Sequence, residues 1–255
     1  MDVENKYGTL STQKRLLALL KEFHAFCEEN GVRYSLAYGS MLGAVRHKGF
    51  IPWDDDLDVF VDRKNYNLLA QKLEASENMY VERDSDKSLW VDRVRMKNGS
   101  HDGKFEPTID ILVLDNVPEK SLKRKMKFFL ILLLQGMLKF RLRLNKGSVA
   151  LKICKIVTFF IGQLFPVKWK KNWYRKVCQI GNSEYSNLVA NYNGEFADLK
   201  RCYPCDMMEH LVECDFEDTK AYIVADYDMC LTTQFGDYMT PPQESDRKAS
   251  HGGAE

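Results

Sequence analysis

The residues from 37 to 58 combine a Gly-Ser pair, three consecutive basic side chains and four aspartates. Gly39 and Ser40 follow an apolar-leaning segment typical of a strand, residues 32–38, and precede a helix-compatible run, residues 41–45. Glycine lets backbone amides approach an oxyanion closely, and the first amides of a helix add donors and the positive end of its dipole. The pattern predicts a turn that binds phosphate.

The aspartates predict a metal-binding site. Asp56 and Asp58 alternate with apolar residues from 56 to 61, so a strand there would place both carboxylates on one face. Two carboxylates about 5 Å apart repel by roughly 3 kcal/mol at an effective dielectric constant of ~20, so the pair calls for a cation. Oxygen ligands of this kind favour Mg²⁺ or Mn²⁺.

A solvated turn is the alternative interpretation, because aspartates are common in turns. Leu57, Val59 and Val61 disfavour it, since they indicate a half-buried strand. For Asp54 and Asp55, which precede that strand, both interpretations stay open.

Length and composition predict one catalytic unit. The chain has 255 residues and 45% apolar content, enough to bury a large core, as one domain or one domain with an appended region. Its seven cysteines have no paired spacing and no secretory signal pattern begins the chain, so we expect the reducing cytosol. The CxxC at 202–205 has no second ligand pair, which disfavours structural zinc.

The charge is strongly segregated. The chain has 37 basic and 36 acidic residues, yet residues 120–183 contain 16 Lys or Arg and no Asp or Glu. That stretch carries +16, and the rest of the chain, given a total of +1, carries −15. Such asymmetry indicates an element that binds a surface.

The same stretch has two apolar runs, residues 128–134 and 156–161, each too short for a span of about 20 residues. Two interpretations stay open: a pair of core helices, or a basic-apolar helical hairpin in the interface of an anionic membrane. We favour the membrane, because each Lys or Arg near such a surface contributes about 1 kcal/mol. Long apolar runs and the lack of a recognised module disfavour nucleic acid.

Helices and strands alternate along the chain, which predicts an α/β (α+β) fold with a mixed sheet flanked by helices and a basic-apolar helical insertion. A carboxylate inside an apolar strand, Asp110, would need a partner. Predicted helices cover residues 11–30, 64–74 and 222–235, and predicted strands cover 33–38, 56–61, 79–83, 90–97 and 108–114.

The Gly-Ser turn, the Asp-x-Asp strand and Asp110 follow the layout of the nucleotidyltransferase fold. Residues 36–58, with the core Leu-Gly-Ala-Val-Arg-His-Lys-Gly-Phe-Ile-Pro-Trp-Asp-Asp-Asp, resemble the LicD family of phosphocholine transferases, related to fukutin-type ribitol-phosphate transferases. Residues 110–112 and 235–242, with Arg247 and His251, resemble later positions of the family.

The resemblance implies transfer of phosphocholine, or a related phospho-alcohol, from CDP-choline or another CDP-alcohol to a hydroxyl of a cell-surface glycan precursor, with release of CMP. The acceptor would be a teichoic acid, lipopolysaccharide or capsule intermediate. The enzyme would be cytoplasmic and peripheral at the inner face of the membrane. The alternatives are a nucleotidylyltransferase that releases pyrophosphate and a catalytically silent membrane adaptor.

The resemblance also assigns roles to residues. The implied metal ligands, for Mg²⁺ or Mn²⁺, are Asp54, Asp56, Asp58 and Asp110. Asp56, Asp58 and Asp110 would be catalytic, with Asp110 completing the metal site or acting as general base. The implied substrate-binding residues are Gly39, Ser40, Arg46, His47, Lys48, Trp53, Arg247 and His251. For Arg247 and His251 a disordered tail is the alternative.

Three regions are expected. Residues 1–118 would form the catalytic core, 119–183 the basic hydrophobic helical region, and 184–255 a C-terminal part that completes the catalytic unit.

Overall fold

The structure, a computed structural model, describes residues 6–83, 91–98, 106–139, 141–142, 148–194 and 198–249. The helices are α1 (Leu10–Asn30), α2 (Tyr38–His47), α3 (Arg63–Glu74), α4 (Ser121–Leu138), α5 (Val149–Gln163), α6 (Val167–Cys178) and α7 (Tyr227–Phe235). The strands are β1 (Ser35–Leu36), β2 (Asp58–Asp62), β3 (Met79–Glu82), β4 (Asp92–Met96), β5 (Ile109–Asn116), β6 (Leu188–Asn191), β7 (Tyr203–Pro204), β8 (Leu211–Phe216) and β9 (Thr219–Val224). The predicted α/β class is confirmed.

The chain divides into two compact units. The first contains Met1–Arg83, Asp92–Val113 and Asp206–Glu255, and the second contains Asp84–Val91 and Leu114–Cys205. The second unit therefore includes the predicted helical region 119–183 and extends beyond it.

The first unit has its strands in the order β1, β2, β5, β4, β3, with the β8–β9 hairpin as a separate pair. Helix α1 buries the apolar residues at helical spacing, including Leu16, Leu20 and Phe23, and ends at Gly31, whose φ of 63° is left-handed. The predicted helix over 11–30 is confirmed. Strand β2 leads directly into α3, because the Asp62 side chain accepts a hydrogen bond from Asn65 N and caps the helix.

Two boundaries near the aspartates differ from prediction. Strand β1 covers only Ser35–Leu36 and α2 begins at Tyr38, so Gly39 and Ser40 lie in the first turn of α2 and not in a preceding turn. Tyr38 has φ 44°, a left-handed value that turns the chain abruptly from strand to helix. Strand β2 begins at Asp58, which leaves Asp56 in the preceding loop.

The predicted helix over 222–235 is wrong in its first part. Residues up to Val224 belong to β9, and the helix is limited to Tyr227–Phe235. Strand β9 pairs antiparallel with β8 along its whole length, and Ala221 and Ile223 are buried. Strand pairing, and not the local helical spacing, therefore sets the conformation of residues 219–224. This pairing is not evident from the sequence, because β8 contains the polar residues Glu213 and Asp215.

The second unit contains the end of β5, strands β6 and β7, and helices α4, α5 and α6. The end of β5 pairs antiparallel with β6, which pairs with β7. Helices α4 and α6 share a buried core that includes Ile131, Leu134, Leu138 and Tyr174.

Candidate active site

The later part of the segment between α2 and β2, residues 51–57 and here called the acidic loop, is held in place by the start of α1. The Gln13 side chain donates from Nε2 to the carbonyl oxygens of Ile51 and Asp54, at 3.0 and 2.8 Å. The Thr9 hydroxyl donates to the Pro52 carbonyl at 2.7 Å. The loop backbone is therefore held by side chains about 40 residues earlier in the chain.

The tip of the β8–β9 hairpin holds the chain just before the acidic loop. Glu217 donates its backbone N–H to the Lys48 carbonyl at 2.7 Å, and its Oε1 accepts the Phe50 N–H at 2.9 Å. Glu217 has φ 54°, and the neighbouring Phe216 ring packs edge-on against Phe50 at 4.9 Å. Sequence analysis missed Glu217, Gln13 and Thr9, because their partners are backbone groups in distant segments and leave no local pattern.

Helix α2 and the segment that follows it approach each other closely at two glycines. A Cβ atom on Gly39 would lie 2.7 Å from Oδ2 of Asp54. A Cβ atom on Gly43 would overlap the carbonyl oxygen of Gly49. Glycine at position 39 allows the carboxylate of Asp54 to lie against the first turn of the helix, and glycine at position 43 allows the chain around Gly49 to pass close to the helix backbone.

Asp54 and Asp56 form a pair of carboxyl groups. Burial raises the pKa of Asp54 to about 8, with further contributions from the charge of Asp56, a hydrogen bond with Asp56 and the charge of Asp55. A carboxyl group in this position either keeps a proton or requires a cation. The pair therefore fits a divalent metal, which would relieve the same repulsion as the proton.

Ser40 links α2 to β2. Its hydroxyl oxygen accepts the backbone N–H of Asp58 at 2.9 Å, and Ser40 is buried, with 3% of its surface exposed. The carbonyl of Asp58 in turn accepts the Ala37 N–H at 2.9 Å. The structure thus gives Ser40 a role in positioning Asp58, and the donor contact implied for Ser40 stays a prediction.

Asp110 lies beside the acidic loop, since its N–H donates to the Leu57 carbonyl at 2.9 Å. Its carboxylate accepts two hydrogen bonds from Arg93 on the adjacent strand β4, from Nε at 2.7 Å and from Nη2 at 3.1 Å. Arg93 is the partner that a carboxylate in an apolar strand was expected to need. Nothing near Arg93 in the sequence identified it as a site residue.

Within the described residues, no group of three or more His, Cys, Asp or Glu side chains is arranged to hold a metal ion. The structure brings Asp54 and Asp56 together, fixes the backbone of Asp58 and binds Asp110 to Arg93. A metal site that includes all four aspartates stays a prediction.

Positive charge gathers at the end of α2. Arg46 donates from Nη1 to the Tyr238 carbonyl at 2.6 Å, and its pKa is lowered, first by burial and then by the nearby Arg247. Burial, followed by the charge of Arg46, also lowers the pKa of His47, which makes its imidazole neutral at pH 7. Lys48 ends the helix with φ 60°. This cluster of cations favours an anionic ligand.

Trp53 in the acidic loop lies next to these cations. The guanidinium carbon of Arg247 is 5.0 Å from the Trp53 ring centroid, and the Arg247 Nε donates to the Pro242 carbonyl at 2.9 Å. His47 approaches the Trp53 ring edge-on at 6.2 Å. Arg247 thus packs against the site, whereas His251 lies outside the described residues.

Comparison with known proteins finds a family match over the region that contains α2, the acidic loop and Asp110. Residues 31–125 match the family model described as LicD/FKTN/FKRP, nucleotidyltransferase domain. The chain is 28% identical over 257 aligned positions to the lipopolysaccharide cholinephosphotransferase LicD of Haemophilus influenzae, and the match covers 92% of each protein.

Shorter matches fall on uncharacterized proteins of two Rickettsia species. The R. prowazekii protein is 39% identical over 64 residues, which is 25% of this chain and 24% of the relative. The R. typhi protein is 42% identical over 60 residues, 23% of this chain and 19% of the relative. The resemblance predicted from residues 36–58 is thus confirmed: residues 31–125 are similar to the nucleotidyltransferase domain of the LicD family.

Proposed function

We propose that this protein transfers phosphocholine, or a related phospho-alcohol, from a CDP-alcohol to a hydroxyl of a cell-surface glycan precursor and releases CMP. The observation that carries the proposal is the Asp54–Asp56 pair, in which the carboxylate of Asp54 packs against the first turn of α2, beside a cluster of cationic side chains. An acidic pair next to cations suits a metal-bound diphosphate better than a neutral ligand. A relative of nearly equal length named as a cholinephosphotransferase supports the same activity.

The reaction balances as a substitution at phosphorus. The acceptor hydroxyl oxygen forms a bond to the phosphorus that carries the alcohol, and the bond from that phosphorus to the bridging oxygen breaks. CMP leaves with the bridging oxygen and its electron pair, and the hydroxyl proton passes to a base. Because the new and broken bonds are both P–O bonds, catalysis depends chiefly on positioning and on compensation of charge.

Asp54, Asp56 and Asp58 are the residues that would hold Mg²⁺ or Mn²⁺. When bound, the ion would offset negative charge on the diphosphate and on the departing CMP. Asp54 and Asp56 fit this task because the structure already brings their carboxyl groups into hydrogen-bond contact.

Cations of the chain complete the donor site in this proposal. Arg46, Lys48 and Arg247 would contact diphosphate oxygens, and the neutral His47 would orient them by hydrogen bonding. The Trp53 ring, which packs against the guanidinium of Arg247, would in the complex also contact the quaternary ammonium of choline.

Asp110 is the proposed acceptor of the hydroxyl proton. Arg93 binds both of its carboxylate oxygens, so the carboxylate is held in one orientation at the edge of the acidic loop. Arg93 is then a positioning residue, which acts on the acceptor through Asp110.

The relatives indicate only the general class of the acceptor. The H. influenzae protein is named for lipopolysaccharide, and we extend this to the wider class of glycan precursors, including teichoic acid and capsule intermediates. We place the reaction at the inner face of the cytoplasmic membrane, where such precursors are lipid-linked.

Product analysis tests the proposal. Purified full-length protein is incubated with Mg²⁺ and with CDP-choline, CDP-ethanolamine, CDP-glycerol or CDP-ribitol, each with a glycan acceptor. We expect one donor to yield CMP and a phosphorylated glycan in equal amounts. Pyrophosphate production from CTP and an alcohol phosphate would instead identify a nucleotidylyltransferase, and the absence of turnover with every donor would identify a silent adaptor.

A further inference from the structure

Helix α5 in the second unit is apolar and exposed. Among its residues whose side chains are described, only Gly162 is buried. Exposed fractions reach 74% for Val149, 55% for Ile153 and 62% for Phe160. With Val157 these residues recur at steps of three or four, so they form a single stripe along one face of the helix.

The structure holds α5 with this stripe facing outward. A Cβ atom on Gly162 would overlap the carbonyl of Met137, so the helix crosses α4 at backbone distance. The buried Lys170 of α6 donates from Nζ to the carbonyl oxygens of Gly162 and Met137, at 2.7 and 3.0 Å. These contacts fix the ends of α4 and α5 to α6, and the exposed apolar face is therefore part of the folded unit.

The helices that contact α5 also expose apolar side chains. On α4, Leu122, Met126 and Phe129 share one face and are exposed, with Leu122 at 82%. The other side of α4 carries Ile131 and Leu134, which are buried in the core. On α6, Trp169 and Trp173 lie one turn apart and are exposed, the first at 58%.

Basic residues accompany each exposed stripe. Lys125 lies three residues after Leu122 on α4, Lys152 three after Val149 on α5, and Lys176 three after Trp173 on α6, so each lysine shares the face of its helix. No Asp or Glu occurs between residues 120 and 183. A second copy of this face would bring like charges together, whereas an anionic lipid surface complements both the lysines and the apolar side chains.

We propose that the exposed faces of α4, α5 and α6, here called the helical face, dock on an anionic bilayer, with the α5 stripe lying in the boundary between headgroups and acyl chains. Within the residues that the structure describes, no helix has the length and hydropathy needed to cross a bilayer. Interfacial docking requires neither this length nor this hydropathy, because the apolar stripe enters only the boundary between headgroups and acyl chains and the lysines stay at the headgroups.

The inference rests on the proposed function only in the choice of membrane surface, because the lipid-linked acceptor of that function would lie at the same surface. Lipid binding requires no turnover. A protein that binds lipid but has no transferase activity would contradict the proposed function alone, and an active protein that does not bind lipid would contradict this inference alone.

Vesicle flotation of the full-length protein tests the helical face. We expect flotation with phosphatidylcholine vesicles that contain phosphatidylglycerol, and little with phosphatidylcholine alone. High salt should reduce binding, because charge at a surface is screened within a few ångströms at about 1 M. Phe160→Asp should weaken binding by at least about tenfold, and Lys125→Gln by about fivefold.

The matched control is Val212→Asp, which changes an exposed apolar residue of the first unit and should leave binding unchanged. Circular dichroism and melting temperature should agree among all four proteins, because each replaced side chain is exposed. The inference is wrong if the protein does not float at low salt, if both kinds of vesicle bind equally, or if Phe160→Asp behaves like Val212→Asp. It is also wrong if light scattering shows a dimer that Phe160→Asp dissociates, since a second copy would then cover the face.

Discussion

The acidic loop of the first unit and the helical face of the second unit both hold an arrangement that a folded chain usually avoids. The acidic loop concentrates carboxyl groups, and hydrogen bonds from α1 and the β8–β9 hairpin keep it in place. The helical face exposes apolar side chains, and α5 is kept in place by a glycine crossing and by Lys170. The comparison shows that unfavourable local arrangements persist where the surrounding contacts fix them. We attribute a cation and diphosphate to the first, and a lipid surface to the second.

The largest expected effect is the loss of activity when one carboxylate of the acidic loop is neutralised. Asp56→Asn removes one member of the carboxyl pair and should slow CMP release by at least about a thousandfold, since metal-assisted stabilisation of charge contributes several kcal/mol. Mg²⁺ should raise the melting temperature of the wild-type protein and have a smaller effect on the variant. Vesicle binding should not change.

Asp215→Asn, at an exposed carboxylate of β8, is the matched control for Asp56→Asn and should be fully active. Near-normal turnover by Asp56→Asn would remove this residue from the metal site.

A pair of glycines compares the regions directly. Gly43→Ala and Gly162→Ala each force a Cβ atom onto a backbone carbonyl, and each should destabilise the fold by about 1–3 kcal/mol. Gly43→Ala should also slow transfer to a water-soluble acceptor by about a hundredfold, because it displaces the segment that leads into the acidic loop. Gly162→Ala should leave that rate intact and weaken vesicle flotation. Equal effects of both variants on both assays would show that the regions are not separable.

Glu217 tests whether the hairpin positions the acidic loop. Glu217→Ala should lower kcat about tenfold and leave KM for the donor nearly unchanged, because the Phe50 N–H loses its acceptor and the loop shifts. Glu217→Gln keeps an oxygen acceptor and should recover most of the rate. Asp218→Ala, at the adjacent exposed residue, serves as control. A role confined to stability would appear as a lower melting temperature without the kcat effect.

The smallest expected effect concerns Arg247. Removing its side chain in Arg247→Ala should raise KM for the CDP-alcohol about fivefold with little change in kcat, since an exposed cation–π or phosphate contact contributes about 1 kcal/mol. Lys248→Ala is the control at the neighbouring residue. An unchanged KM would mean that Arg247 packs on Trp53 without contacting the donor.

Local sequence patterns predicted much of the first unit. Helix α1 and helix α3 were confirmed nearly to the residue, because amphipathic spacing and a capping Asp62 are encoded within each segment. The concentration of carboxylates at residues 54–58 was also evident from the sequence, whereas their role as metal ligands stays a prediction. The hairpin β8–β9 was missed, because its pairing depends on tertiary contacts and its first strand is polar.

The amino-acid sequence alone specifies which chemical groups the protein has: a dense run of aspartates after a Gly-Ser pair, and a stretch with 16 basic residues and no acidic ones. The contacts that these groups make depend on the folded structure. In the folded protein, Asp54 pairs with Asp56 and Asp110 binds Arg93. Ser40 accepts a hydrogen bond from the backbone of Asp58, and the apolar side of α5 is exposed. The physical reason is that these partners are hydrogen-bonding groups and packing surfaces from distant segments, and such contacts exist only once the chain has folded.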